Sequence, residues 1–134
     1  MREDVFRKVP SHGLLLEFGV NLGRSANFFS DLLDKNGDAR KYFGFDTFTG
    51  LTEHWGGMAR AGTFNRDGVP PDLNKRVSLV IGDILETFVP FLSNNDEKIA
   101  FIHVDTDTYT PCAHVLNHSR SRLMNGSIIL FDEF

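Results

Sequence analysis

Apolar residues are concentrated in five short runs, which alternate with segments of helical or irregular pattern. The runs are Gly13 to Phe18, Lys41 to Asp46, Val77 to Ile81, Ile99 to Asp105 and Ser127 to Phe131. Short apolar runs that alternate with helices are typical of a parallel sheet, because crossover helices cover both of its faces. The pattern predicts an α/β fold with a doubly wound, Rossmann-like parallel sheet, formed by one domain over residues 1–134.

The segments between the runs predict three helices and one long loop. Ser25 to Lys35 has an apolar helical face, Ile84 to Asn94 predicts a short helix interrupted or begun around its proline, and Pro111 to Met124 predicts a longer helix that Gly126 ends. The stretch from Gly50 to Arg76 is rich in glycine and proline and has little periodicity. Loops of that length are often functional.

A glycine turn with the sequence EFGVNLGRS follows the first predicted strand, at residues 17–25. Such a turn lets backbone N–H groups approach a carboxylate or phosphate, and the helix after it adds partial positive charge. A dinucleotide fingerprint would have glycine at Asn21. The spacing of Glu17, Gly19 and Gly23 instead resembles the first motif of class I S-adenosylmethionine methyltransferases. The alternative is that the two glycines only permit a tight turn.

Two further carboxylates end the second and third strands. Asp46 can accept hydrogen bonds from both ribose hydroxyls of an adenosyl ligand, whether nicotinamide- or methionine-derived, or it can form an Asx-turn. Asp83 corresponds to the acidic residue that approaches the adenine amino group in the methyltransferases that the turn resembles. Asp83 is equally suited to be the N-cap of the next helix, and both roles can coexist.

Acidic residues also follow the fourth and fifth strands. Asp105 and Asp107 are two apart in an extended segment and therefore project toward a common volume. Asp132 and Glu133 end the next strand, so the carboxylates meet at one sheet edge if the strands are neighbours. Oxygen ligands suit Mg²⁺ or another hard divalent cation. Alternatively, the acids cap helices and act without metal, whereas His103, between apolar strand residues, is expected to be a satisfied core histidine.

The motifs EFGVNLGRS, FGFDTFTGL, FIHVDTDTY and SIILFDEF together resemble the macrocin O-methyltransferase-like branch of class I methyltransferases, over residues 13 to 134. The resemblance implies methyl transfer from S-adenosylmethionine to a small-molecule hydroxyl, often on a sugar, assisted by a divalent cation. It implies Asp107 as the base, and metal ligands at Asp105, Asp132 and Glu133. The cofactor residues that we expect are Glu17, Phe18, Gly19, Gly23, Ser25, Asp46, Asp83 and Asp105.

The resemblance also implies a seven-stranded fold, of which this sequence reaches only the fifth strand. We therefore expect a methyltransferase core that lacks the C-terminal hairpin, and an exposed edge that favours a homo-oligomer. Two alternatives stay open. One is a nicotinamide oxidoreductase, and the other is a shortened, inactive methyltransferase-like domain that binds the cofactor or acts as an interaction module.

Charge and composition exclude several classes of partner. A net charge of -4 without a basic stripe argues against nucleic acid. No apolar run reaches the roughly 18 residues of a membrane span, and the start of the chain has no apolar signal region. Cys112 is the only cysteine, which excludes an internal disulfide. We expect a cytoplasmic protein.

Overall fold

The computed structural model describes residues 2–48 and 70–132. Its elements are α1 (Arg2–Phe6), β1 (Leu14–Phe18), α2 (Arg24–Lys35), β2 (Tyr42–Asp46), β3 (Val77–Ile81), α3 (Ile84–Ser93), β4 (Ile99–Val104), α4 (Tyr109–Ser119), a 3₁₀ turn (Arg120–Arg122) and β5 (Leu123–Phe131). The strands form one parallel sheet in the order β3-β2-β1-β4-β5. The predicted Rossmann-like fold is confirmed.

The order of the strands reverses between β1 and β4. The chain runs outward from β1 through β2 to β3 and then returns to the other side of β1 to form β4 and β5. Phe18 pairs with Val104, so the carboxyl ends of β1 and β4 lie side by side. Open α/β sheets bind ligands at such a switch point.

Each face of the sheet has its own apolar core. Helices α1 and α2 cover one face, where Phe6 packs against Phe29 and Phe101 with ring centroids 4.8 and 5.0 Å away. Helices α3 and α4 cover the other face, where Phe18 stacks on Phe45 at 4.6 Å. Aromatic pairs of this kind add about 0.5–1.5 kcal/mol beyond area burial. The sheet is therefore held firmly on both faces.

Two parts of the secondary structure differ from the sequence prediction. Helix α4 ends at Ser119, and β5 begins at Leu123, where a helix through residue 124 was predicted. The register between β4 and β5 jumps from the pair Ile99–Leu123 to the pair Phe101–Ile128, and Gly126 has φ 89° in this irregular stretch. The glycine thus allows a bend at the start of β5 and does not cap a helix.

Of three further predictions, one is corrected by the structure, one lies mostly outside the described residues and one stays untested. Helix α3 continues through Pro90 and is not interrupted there. Most of the predicted long loop, residues 49–69, lies outside the described residues. In the described sheet β5 is an edge strand, and the expected homo-oligomer stays a prediction. No helix in the described ranges has the length and apolar character needed to cross a membrane.

Candidate active site at the switch point

The turns after β1 and β4 touch each other at the base of the candidate site. Gly19 has φ 92°, and a Cβ atom there would lie 2.1 Å from the backbone oxygen of Asp105. The Asp105 N–H donates to the Phe18 carbonyl at 2.8 Å. Only glycine fits this conformation and this approach. The predicted glycine turn and the predicted acidic segment therefore form one structural unit.

Asp46 joins the end of β2 to the glycine turn. Its Oδ2 accepts a hydrogen bond from the Asn21 N–H at 2.7 Å, and its Oδ1 accepts one from the Phe48 N–H at 2.9 Å. The second bond is the Asx-turn considered from the sequence. Asn21 has φ 49°, a conformation that Asn tolerates better than most residues. Asp46 thus lies where the sequence places an adenosyl ribose, which stays a prediction.

Helix α2 starts with an open N-terminus. Gly23 is its N-cap with φ 83°, no side chain bonds the cap, and no acidic residue lies in the first turn. The hydroxyl of Ser25 lies in that first turn and accepts a hydrogen bond from Arg2 at 3.0 Å. Backbone N–H groups in such a turn favour an anion.

The other predicted cofactor residues have structural roles in the described chain. The Phe18 side chain is completely buried in the core on the α3 side, so only its backbone can contribute to the site. Asp83 is the N-cap of α3 and accepts a hydrogen bond from the Leu85 N–H at 2.9 Å. Its expected contact with adenine stays a prediction.

The surroundings of Asp105 change its acidity. Burial raises the pKa of Asp105 to about 6, and the negative charges of Asp107 and Asp132 act in the same direction. The predicted acids are therefore near enough to one another for their charges to interact. Asp107 has φ 62°, a conformation rare for residues with a side chain and often associated with functional sites.

Glu17 is completely buried beneath the site, in a row of polar side chains. Its Oε1 accepts hydrogen bonds from the Tyr42 hydroxyl at 2.8 Å and from His103 Nδ1 at 3.0 Å. The other ring nitrogen of His103 lies 3.4 Å from Asp132 Oδ1. Burial alone would lower the pKa of His103, but the bond and charge of Glu17, followed by those of Asp132, raise it overall. His103 is buried as predicted, and it also links two predicted site residues.

Arg2 was not identified from the sequence. Its Nη2 donates to both carboxylate oxygens of Asp132, at 2.9 and 2.8 Å, while its Nη1 bonds Ser25. The Asp132 N–H in turn donates to the Val104 carbonyl at 3.0 Å, which fixes this residue beside β4. No local signal predicts a contact between residues 130 apart.

The expected metal centre finds no support in the structure. Within residues 2–48 and 70–132, no group of three or more His, Cys, Asp or Glu side chains is arranged to hold a metal ion. Asp132 binds the guanidinium of Arg2 with both oxygens, and Glu133 lies outside the described residues. The metal ligands expected at Asp105, Asp132 and Glu133 stay a prediction.

Comparison with known proteins agrees with this arrangement. The model of a family described as a methyltransferase domain matches residues 16–134, which include both turns and all the predicted site residues. The chain belongs to the class I S-adenosylmethionine-dependent methyltransferases. The resemblance seen in the sequence is confirmed at the level of the family, and the cofactor role expected of the glycine turn stays a prediction.

The chain is similar in structure to several solved methyltransferases. CalS11, a calicheamicin methyltransferase, is 30% identical with a TM-score of 0.80, and the match covers 98% of this chain and 62% of that one. An apo structure of CalS11, named as a TDP-rhamnose 3′-O-methyltransferase, is 31% identical with a TM-score of 0.72, and the match covers 98% and 60% of the two chains. The O-methyltransferase NovP, at 19% identity and a TM-score of 0.70, shares the fold, and its match covers 98% and 64%.

This methyltransferase domain therefore spans about three fifths of the length of the solved chains that it resembles. No curated protein matches the sequence.

Proposed function

We propose that the domain binds S-adenosylmethionine at the glycine turn and transfers its methyl group to a hydroxyl of a small molecule, such as a sugar. The bond between Asp46 and the Asn21 N–H, 2.7 Å long, carries the proposal. This bond holds the Asp46 carboxylate, which we propose binds the ribose, beside a glycine turn that opens onto a helix N-terminus. The two features together suit an adenosyl amino acid. The activity for which CalS11 is named, methylation of a hydroxyl of TDP-rhamnose, supports a sugar hydroxyl as the acceptor.

The chemistry that we propose uses the acids after β4. S-adenosylmethionine supplies an activated methyl group on a sulfonium, so the protein has to align the acceptor and collect its proton. A carboxyl group with a pKa near neutral is an effective proton acceptor, and burial raises the pKa of Asp105 to about 6. Asp107, the base predicted from the sequence, adjoins it. We propose that these two carboxylates hold the acceptor hydroxyl and take its proton.

A divalent cation has no step in this proposal. Asp132 already has a cationic partner in Arg2, through two contacts of 2.8 and 2.9 Å. A guanidinium neutralises a carboxylate through directed hydrogen bonds and is always charged. The described residues therefore support a site in which Arg2 neutralises and positions Asp132.

Calorimetric titration with S-adenosylhomocysteine, S-adenosylmethionine and NAD tests the cofactor. We expect the first two to bind and NAD not to bind, and we expect Asp46→Ala to weaken both at least about tenfold, as loss of a charged hydrogen-bond acceptor implies. Asp96→Ala, a change at an exposed acid, is the matched control. Binding of NAD alone would overturn the proposal.

Mass spectrometry with a panel of nucleotide sugars tests the reaction. We expect a gain of one methyl group on a hydroxyl of at least one sugar, and loss of that product with Asp105→Asn. Cofactor binding without transfer to any acceptor would favour the inactive, cofactor-binding domain considered from the sequence.

A further inference from the structure

The guanidinium of Arg2 lies between the two halves of the candidate site. On one side it donates to Ser25 Oγ at 3.0 Å, in the first turn of the helix that follows the glycine turn. On the other side it donates to both oxygens of Asp132, in the acidic cluster after β5. Arg2 thus bonds directly to both parts of the candidate site.

Arg2 is also held in a way that leaves it available to a ligand. Its side chain is 41% exposed, and a guanidinium has five N–H donors, more than these bonds use. The short helix α1 that carries it is anchored by Phe6, which is buried between Phe29 and Phe101. Because Asp132 and Ser25 fix the planar group, little ordering is needed when an anion binds.

We propose that Arg2 binds the carboxylate of the methionyl part of S-adenosylmethionine, together with the Ser25 hydroxyl and the open first turn of α2. The inference rests on the proposed function, and it extends the cofactor site into α1. Residue 2 lies outside the segment 16–134 that the family model matches, so family membership does not assign this role.

The choice of a carboxylate follows from the chemistry of the three groups. The guanidinium N–H donors that Asp132 and Ser25 leave unused can bond a carboxylate, and charge-assisted bonds are roughly twice as strong as neutral ones. The uncapped start of α2 and the Ser25 hydroxyl add neutral donors on the same side. Asp132 is the counter-charge that holds Arg2 before the ligand arrives.

The test compares two ligands that differ in this carboxylate. S-adenosylhomocysteine carries the amino acid group, whereas 5′-methylthioadenosine has the adenosine and sulfur without it. In calorimetry we expect Arg2→Met to weaken S-adenosylhomocysteine by about 10- to 100-fold, the range for a lost charged hydrogen bond. The affinity for 5′-methylthioadenosine should stay within about twofold, which also shows that the variant is folded. Arg2→Lys keeps the charge, so its affinity for S-adenosylhomocysteine should lie between those of the parent protein and Arg2→Met.

Arg7→Met is the matched control, because Arg7 follows α1 and pairs with Glu3 and Asp4 on the surface. It should change neither affinity. If Arg2→Met lost affinity equally for both ligands, or for neither, the role of Arg2 would be overturned while the proposed function stands. If the parent protein binds neither ligand, the proposed function itself fails, and this inference with it.

Discussion

His103 Nδ1 lies 3.0 Å from Oε1 of Glu17, and both side chains are completely buried. The Tyr42 hydroxyl donates to the same oxygen. Burial raises the pKa of Glu17, and the bond and charge of Glu17 raise the pKa of His103 against the effect of burial. The methyltransferase domain thus keeps two interacting titratable groups inside its core. Burial of a charge is tolerated where partners are present and is costly where one is removed.

Glu17→Gln is therefore expected to destabilise the fold by about 2–4 kcal/mol, because His103 and Tyr42 would face an amide in place of a carboxylate. Urea unfolding at pH 7 measures the loss. The control is Glu3→Gln, which removes an exposed pair with Arg7 and should cost less than about 0.5 kcal/mol. Equal stability of the two variants would show that the buried pair contributes nothing.

The raised pKa of Asp105 predicts that the stability of the fold depends on pH. Its folded-state pKa of about 6 lies above the ordinary value of 3.8, so between these two pH values the folded form retains a proton that the unfolded form has lost. The stability that this gives is fully present below pH 3.8 and is lost as the pH rises through about 6. Asp105→Asn should therefore equal the parent in stability near pH 3.5 and exceed it by about 1 kcal/mol above pH 6.5, after allowance for solvent screening.

Thermal or urea unfolding between pH 3.5 and 7.5 checks the sign. Asp96→Asn makes the same chemical change at an exposed position and should follow the parent at every pH. A constant difference between Asp105→Asn and the parent across this range would contradict the assigned cause.

The contact between the two turns can be tested by adding one methyl group. Gly19→Ala places a Cβ atom 2.1 Å from the Asp105 carbonyl oxygen at φ 92°, so the backbone must move. We expect a loss of about 3 kcal/mol or more in unfolding free energy, with weaker cofactor binding. Gly37→Ala is matched in conformation, with φ 70°, but has nothing within 4 Å, and should cost only about 1–2 kcal/mol. Similar losses would show that conformation alone requires a glycine at position 19.

The bonds of Asp46 predict local dynamics that do not depend on a ligand. Asp46→Ala removes the acceptor of the Asn21 and Phe48 N–H groups, so hydrogen exchange at these two amides should accelerate by about tenfold or more. Exchange at Leu85, whose N–H is bonded by Asp83, should not change. Nuclear magnetic resonance measures all three, and an unchanged Asn21 rate would argue against the assigned contact.

Removal of divalent cations gives a prediction for the cofactor site. We expect EDTA to leave the affinity for S-adenosylhomocysteine unchanged within about twofold, because the groups that we propose bind this ligand are backbone N–H groups, a carboxylate and a guanidinium. Calorimetry before and after dialysis against EDTA measures it. A larger fall that Mg²⁺ restores would show that a cation belongs to the site.

The sequence predicted the features that depend on local pattern. Apolar runs predicted the positions of the strands. The acids that follow the strands predicted a shared site at one edge of the sheet, because the carboxyl ends of parallel strands meet there. The bend at Gly126 was mistaken for a helix end, since glycine at positive φ serves in both. Arg2 could not be found in this way, because its contact with Asp132 depends on Phe6 packing against α2 and β4.

The touching backbones of Gly19 and Asp105 also limit how this domain can diversify. No side chain can be introduced between them, so this floor of the candidate site is fixed in shape. Under the proposed function, a change of acceptor has to be accommodated elsewhere, for example toward solvent beside the two turns, where Leu22 and Tyr109 are exposed, Tyr109 by 82%. Selection for a new acceptor should therefore yield substitutions at this rim and leave the floor unaltered.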